Sequence, residues 1–205
     1  MKSEFEIAVI GGGLAGLVSA YLLSKSGHEV VLIEKKTYPF HRVCGEYLSK
    51  EALGFLQSHG LLPDGMKLPQ IRTFEFSDTS GQRVQIPLDL GGFGISRYVL
   101  DEWMYKKNSL LGVKLITGIQ VDQVEFSENE DCFSLTLSDH QELRAKYVIG
   151  AFGKRSKLDK KLRRPFIEKR SLYLGVKYHI RTDYTIDAVA LHNFPGGYCG
   201  LNAIE

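Results

Sequence analysis

The chain of 205 residues has no apolar run approaching the roughly 20 residues that a membrane-spanning helix needs. It also lacks a signal-type apolar segment ahead of a small-residue cleavage site. The expectation from these two absences is a soluble, cytoplasmic chain, with peripheral membrane contact left open. Cysteine is scarce: Cys44, Cys132 and Cys199 lie far apart, with no C-x-x-C pair. That spacing excludes a disulfide framework and points to reduced thiols. Net charge is also small, +2 from 26 basic and 24 acidic residues, which argues against nucleic acid as the main partner. The six histidines show no metal-ligand spacing, so no metal site is expected, and no Ser/His/Asp arrangement emerges. Proline is sparse at six, against 21 glycines, many of them in short clusters.

Most of what is present reads as an α/β fold. Ile7-Ala8-Val9-Ile10 is apolar without alternation, as in a parallel strand buried on both faces. Leu17, Ala20, Tyr21 and Leu23 follow at helical spacing, Gly27 ends that helix, and Val30–Ile33 forms a second buried strand closed by Glu34. Ser49 reads as the N-cap of a helix over Lys50–Ser58 with Gly60 beyond it. Residues 71–88 read as a hairpin turning at Ser80-Gly81. A helix from near Ser96 presents Leu100, Trp103 and Met104, and the strand Val113–Ile116 follows it. Strands over 119–126, 131–138 and 142–149 form an antiparallel meander, and further strands are expected over 173–181 and 187–194, with Phe194–Tyr198 containing a turn.

The glycine cluster Gly11-Gly12-Gly13-Leu14-Ala15-Gly16 is G-x-G-x-x-G, with a strand before it, a helix after it and an acid ending the next strand. Gly11 permits the tight turn, Gly13 lets the backbone approach a pyrophosphate, and Gly16 allows close helix–strand packing. Leu14 and Ala15 open the helix, whose free N–H groups and dipole favour phosphate. Glu34, followed by Lys35, is placed to accept hydrogen bonds from ribose hydroxyls. The pattern implies a dinucleotide and by itself leaves FAD and NAD both open.

Four segments in order extend the reading: the opening βαβ unit, Arg42-Val43-Cys44-Gly45-Glu46-Tyr47-Leu48-Ser49, Ile95-Ser96-Arg97 with Leu100-Asp101, and Gly150-Ala151-Phe152-Gly153-Lys154-Arg155-Ser156. In order and spacing they resemble the two-domain flavin oxidoreductases, a group that includes para-hydroxybenzoate hydroxylase-type enzymes, geranylgeranyl reductases and flavin-dependent halogenases. The resemblance covers nearly the whole chain, and the Cys-Gly-Glu segment is most similar to the geranylgeranyl reductase branch. It implies FAD as cofactor, with NAD(P)H as a transient electron donor and an apolar small-molecule substrate. It places Gly11, Gly13, Gly16 and Glu34 on the ADP moiety, and Arg42 and Arg97 near the pyrophosphate or ribityl. It also places the backbone of Val121, which follows Gly118, at adenine, and Ala151 and Gly153 alongside the nucleotide. Arg97 can deliver a forked donor to phosphate, although it and Arg42 also read as surface arginines, Arg97 bridging to Asp101.

Cys44 and Glu46 are the candidate catalytic residues. Cys44 is either a reactive thiol near the flavin or a small buried thiol, and Glu46 either a proton-transfer group or a solvated carboxylate. Two departures from the family pattern stand out. Phe152 replaces the acid of the usual Gly-Ala-Asp-Gly segment, and the later Gly-Asp motif of the family lies outside this sequence. The chain therefore reads as a truncated portion, ending at Glu205 inside a substrate-domain strand. The expected domains are FAD-binding over 1–70 and 94–164, with partial substrate-binding over 71–93 and 165–205. Basic residues crowd 154–170, with Lys154, Arg155, Lys157, Lys160, Lys161, Arg163, Arg164, Lys169 and Arg170 against Asp159 and Glu168, which reads as a solvated basic face or else a landing site for the NADPH phosphate or anionic lipid. The function implied is an NAD(P)H-driven FAD-dependent oxidoreductase, as reductase, monooxygenase or halogenase. The rivals are a non-enzymatic escort-type module for prenylated partners and an NAD-dependent dehydrogenase. Oligomeric state is not legible.

Overall fold

A computed structural model describes residues 3–154, 156–169, 172–183 and 187–205. The chain divides into two compact units: Met1–Phe40 with Asp101–Leu174, and His41–Leu100 with Gly175–Glu205.

The first unit is built on a six-stranded sheet. Strand β1 (Glu4–Ile10) lies between β2 (Val30–Glu34) and β9 (Glu142–Gly150), parallel to both. Strand β6 (Lys114–Thr117) extends the parallel edge beside β2. On the other side β9 continues antiparallel into β8 (Cys132–Leu137) and β7 (Val121–Ser127), giving the order β6-β2-β1-β9-β8-β7. The continuous apolar runs of β1 and β2 bury nearly every residue, which is why they lie inside the sheet. Helix α1 (Leu14–Lys25) joins β1 to β2 and buries Leu17, Ala20 and Tyr21. Helix α3 (Arg97–Leu110) precedes β6, and its Asn108, fully buried, donates from Nδ2 to the carbonyls of Leu17 (3.0 Å) and Met104 (2.9 Å), tying the two helices together. The core gathers Phe5, Ile10, Ile33, Leu135, Leu137 and Leu158 around the meander.

The second unit carries a five-stranded sheet, in the order Gly197–Leu201, Ala188–Phe194, Gln70–Ser77, Arg83–Gly94, Tyr47–Ser49. The expected hairpin is β4 (Gln70–Ser77) and β5 (Arg83–Gly94), with Phe74 opposite Ile86 and Phe76 opposite Val84. Asp78 holds the turn by accepting the N–H groups of Ser80 and Gln82, each at 2.9 Å. Strand β10 (Ala188–Phe194) joins β4 in parallel and returns through Pro195-Gly196 into β11 (Gly197–Leu201). Strand β3 (Tyr47–Ser49), which no alternation announces, pairs with the far end of β5. That pairing sets residues 41–70 in the same compact unit as the hairpin. The helix expected over Lys50–Ser58 begins as a 3₁₀ turn, Lys50–Ala52, capped by Ser49, before α2 (Leu53–Ser58).

One expected strand does not form. Residues 173–181 lie outside every sheet, with Tyr173, Leu174, Val176, Tyr178 and Ile180 all more than 60% exposed. Their alternation is strand-like, but a strand requires a ladder partner as well as a pattern. Among the described residues no helix is long and apolar enough to cross a membrane.

Candidate cofactor site

The glycine-rich turn lies where β1 ends and α1 begins, and its shape depends on missing side chains. Gly11 has φ +104°, and a Cβ there would stand 2.5 Å from the Ala151 carbonyl oxygen. A Cβ on Gly16 would fall 1.8 Å from the Gly11 carbonyl oxygen and 3.3 Å from the Ala151 methyl. Turn, helix and the exit of β9 are thus packed backbone to backbone, and Ala151 fixes that exit by donating its N–H to the Ile10 carbonyl at 2.8 Å. Gly13 is the N-cap of α1 and no side chain caps the helix. The first-turn N–H groups, on half-buried Leu14, exposed Ala15 and buried Gly16, therefore have no intrahelical acceptor.

Glu34 closes the turn from the end of β2. It is 5% exposed, and its carboxylate accepts the Gly12 N–H at 2.8 Å and the Lys36 N–H at 3.1 Å. The carboxylate is thereby aimed at the glycine turn, while Lys35 points its residue surface to solvent. Gly118 and Ile119 donate to the carbonyls of Lys36 and Glu34 (3.4 and 3.3 Å), which brings the segment leading to Val121 beside the acid. Val121 itself is buried in the core and pairs with Leu137. Gly153 is exposed with φ +70°.

Sequence reasoning missed Tyr38. Its hydroxyl donates to the Gly12 carbonyl, and its ring stacks on Tyr105 at 4.6 Å. A Cβ on Gly12 would meet that hydroxyl at 1.9 Å. The middle glycine of the Gly11–Gly13 run was the available signal, since the fingerprint allows any residue at that position.

Phe152 has a structural role of its own. Its ring packs against the core where the family pattern has an acid, and Arg164 lies over it at 5.8 Å. The basic run is only partly a free surface. Lys157 pairs with Asp122 (3.4 Å), Lys161 binds Gln123 (2.9 Å), and Arg164 lies 3.4 Å from Asp159. Asp159 is fully buried and forms a capping box with Ser156 at the start of helix α4 (Lys157–Lys161). Arg155 and Arg170 lie outside the described residues.

The second unit holds the remaining candidates. Cys44 is exposed, which removes the buried-thiol alternative. Glu46 is 4% exposed, which removes the solvated-carboxylate one. Its Oε1 accepts Lys177 Nζ at 2.6 Å and the Arg97 N–H at 2.7 Å, and its Oε2 lies 2.7 Å from His179 Nε2. Burial pushes the Glu46 carboxyl up, but the hydrogen bonds from Lys177, the Arg97 N–H and His179 hold it below the usual carboxylate value. An acid held ionised in this way is not a proton donor near neutral pH. Arg97 is half-buried at the first position of α3, and Arg42 is half-buried in its loop.

A family model described as FAD binding domain matches residues 4–190. The chain belongs to the FAD binding domain family. As an FAD binding domain it is 27% identical over 190 residues to menaquinone reductase of Mycobacterium tuberculosis, across 89% of this chain and 46% of the relative. It is 26% identical over 214 residues to digeranylgeranylglycerophospholipid reductase of Methanosarcina acetivorans, across 97% of this chain and 51% of the relative. The chain thus spans about half the length of these curated relatives. Among solved structures, p-nitrophenol 4-monooxygenase from Pseudomonas putida shares the fold with a TM-score of 0.68 at 20% identity, over 79% of this chain and 44% of that one. The glycine cradle fits the cofactor of the FAD binding domain. Three side-chain-free positions, an uncapped helix start and an inward acid are the donor and acceptor set that a dinucleotide requires.

Proposed function

We propose that this chain is the flavin-holding portion of an FAD-dependent oxidoreductase that takes reducing equivalents from NAD(P)H and acts on an apolar substrate, with reduction of an isoprenoid-bearing molecule favoured over hydroxylation or halogenation. The observation that carries the reading is the backbone-to-backbone packing of Gly11 and Gly16 against the β9 exit, with Glu34 aimed into the same turn. Two relatives whose names denote reduction of a menaquinone and of a digeranylgeranyl lipid support the choice of substrate class.

In this reading Gly11, Gly13 and the N–H groups of Leu14, Ala15 and Gly16 cradle the pyrophosphate. Glu34, flanked by Lys35, accepts from ribose hydroxyls. The backbone at Val121 meets adenine, and Ala151 and Gly153 lie along the nucleotide. Arg42 and Arg97 are the cationic arms for phosphate or ribityl. Bound FAD would supply the hydride chemistry, while the protein supplies position and electrostatics.

The test is titration of purified protein with FAD, followed by quenching of flavin fluorescence and by the visible flavin bands, with NAD as the competing ligand. Saturable FAD binding that Gly11→Ala weakens is the expected result. Tight NAD binding with no affinity for FAD would overturn the assignment.

A further inference from the structure

Glu46 is bound in a way that determines the chemistry of its neighbour. An ionised carboxylate only accepts hydrogen bonds, so the 2.7 Å contact places a proton on His179 Nε2. The other ring nitrogen, Nδ1, makes no hydrogen bond among the described residues, and the side chain is 32% exposed. Lys177, 16% exposed, and the Arg97 N–H occupy the opposite oxygen, which keeps the carboxylate charged and fixed. The other groups facing the pair are His41, edge-on to the His179 ring at 4.9 Å, and Tyr98, stacked on His41 at 4.6 Å. Cys44 lies behind, its sulfur 3.5 Å from the Glu46 N–H.

We propose that Glu46 and His179 form a proton-transfer pair, with Glu46 the positioning residue and Nδ1 of His179 the atom that takes up and returns a proton. A purely structural clasp would be served equally by a second lysine. An imidazole brings a second nitrogen suited to proton transfer at physiological pH, and that nitrogen is the one the clasp leaves unused. A carboxylate that fixes the tautomer of a histidine and offsets the imidazolium charge is a recurring arrangement for general acid–base work. In the transfer, the donor's bond to hydrogen breaks with its electron pair left on the donor atom. An N–H bond forms at Nδ1, and the resulting imidazolium is balanced by Glu46; the reverse step returns the proton, and no electron is moved. The substrate class is a double bond or carbonyl that gains a hydride at one atom and needs a proton at the other. That choice of substrate rests on the oxidoreductase reading, whereas the geometry of the pair does not.

Nitrogen-15 NMR of the His179 ring in the folded protein tests the pair directly. The expected result is the Nε2–H tautomer in the neutral ring, with Nδ1 as the nitrogen that carries the lone pair. Glu46→Gln should shift the tautomer ratio roughly tenfold, the worth of one charge-assisted hydrogen bond, and Glu46→Asp should restore part of it. Carbethoxylation of His179 by diethyl pyrocarbonate, followed by peptide mass, should change in the same order. An Nδ1–H tautomer in the unmodified protein would overturn the proposal without any variant. A ratio unmoved by Glu46→Gln would do the same. These readouts need no flavin, so their failure is distinct from a failure to bind FAD.

Discussion

Glu46 and Gly16 show how single residues are constrained here by what surrounds them. Glu46→Ala strands Lys177 and His179 without their shared acceptor and should cost about 3 kcal/mol of stability, the scale for breaking a mostly buried ion pair; chemical denaturation measures it. The pH sign follows from the depressed carboxyl. The folded state holds Glu46 ionised more tightly than the unfolded chain does. Its contribution is therefore complete above the ordinary glutamate value and is lost as pH falls through the lower folded value. Acid unfolding curves of the parent and Glu46→Gln should converge on that limb, and parallel curves would contradict the clasp. At Gly16 the obstacle is backbone: a methyl group would sit 1.8 Å from the Gly11 carbonyl oxygen. Gly16→Ala should cost about 1–3 kcal/mol through forced displacement and weaken FAD binding well beyond that of a surface control, as read by fluorescence titration.

At the scale of elements, helix α4 and the β3–β5 pairing teach opposite lessons. Helix α4 spans only Lys157–Lys161, so its existence depends on its capping box and on buried Leu158. Ser156→Ala should cost about 1 kcal/mol and raise amide exchange locally over that helix. The basic run concealed this element, because Asp159 read as one of two acids diluting a cationic surface, when it is a fully buried cap. The βαβ unit was legible because each of its parts has a local signature: an unbroken apolar strand, glycines at fixed offsets, and an acid closing the next strand. Strand β3 was not, since Tyr47-Leu48-Ser49 becomes a strand only by lying beside Gly92–Gly94. The segment over 173–181 failed in the reverse direction, having the alternation without a partner. At the site, the same division holds. The turn at Gly11 and the close packing at Gly16 were readable, whereas Tyr38 over Gly12 and the burial of Glu46 depend on residues far apart in sequence. The tie from Asn108 to Leu17 is likewise non-local, and Asn108→Ala should cost about 1–2 kcal/mol through the lost hydrogen bonds.

For the molecule as a whole, ligand linkage gives a measurable consequence. FAD at about 100 times its dissociation constant should stabilise the folded state by roughly 2.7 kcal/mol, seen as a rise in melting temperature that NAD does not reproduce. Hydrogen exchange should slow first around the Gly11–Gly16 turn and at Lys36, whose N–H groups lie at the cradle. Leu172, Leu174, Val176, Tyr178 and Ile180 lie outside every sheet. These apolar residues recur at every second position and are 61–98% exposed. A stripe of exposed apolar side chains outside any sheet is a surface on which like chains associate. In concentrated solution the chain should therefore behave as a sticky colloid. Light scattering should grow with protein concentration and persist in salt, and Val176→Lys, which sets a charge in the middle of the stripe, should keep the solution clear.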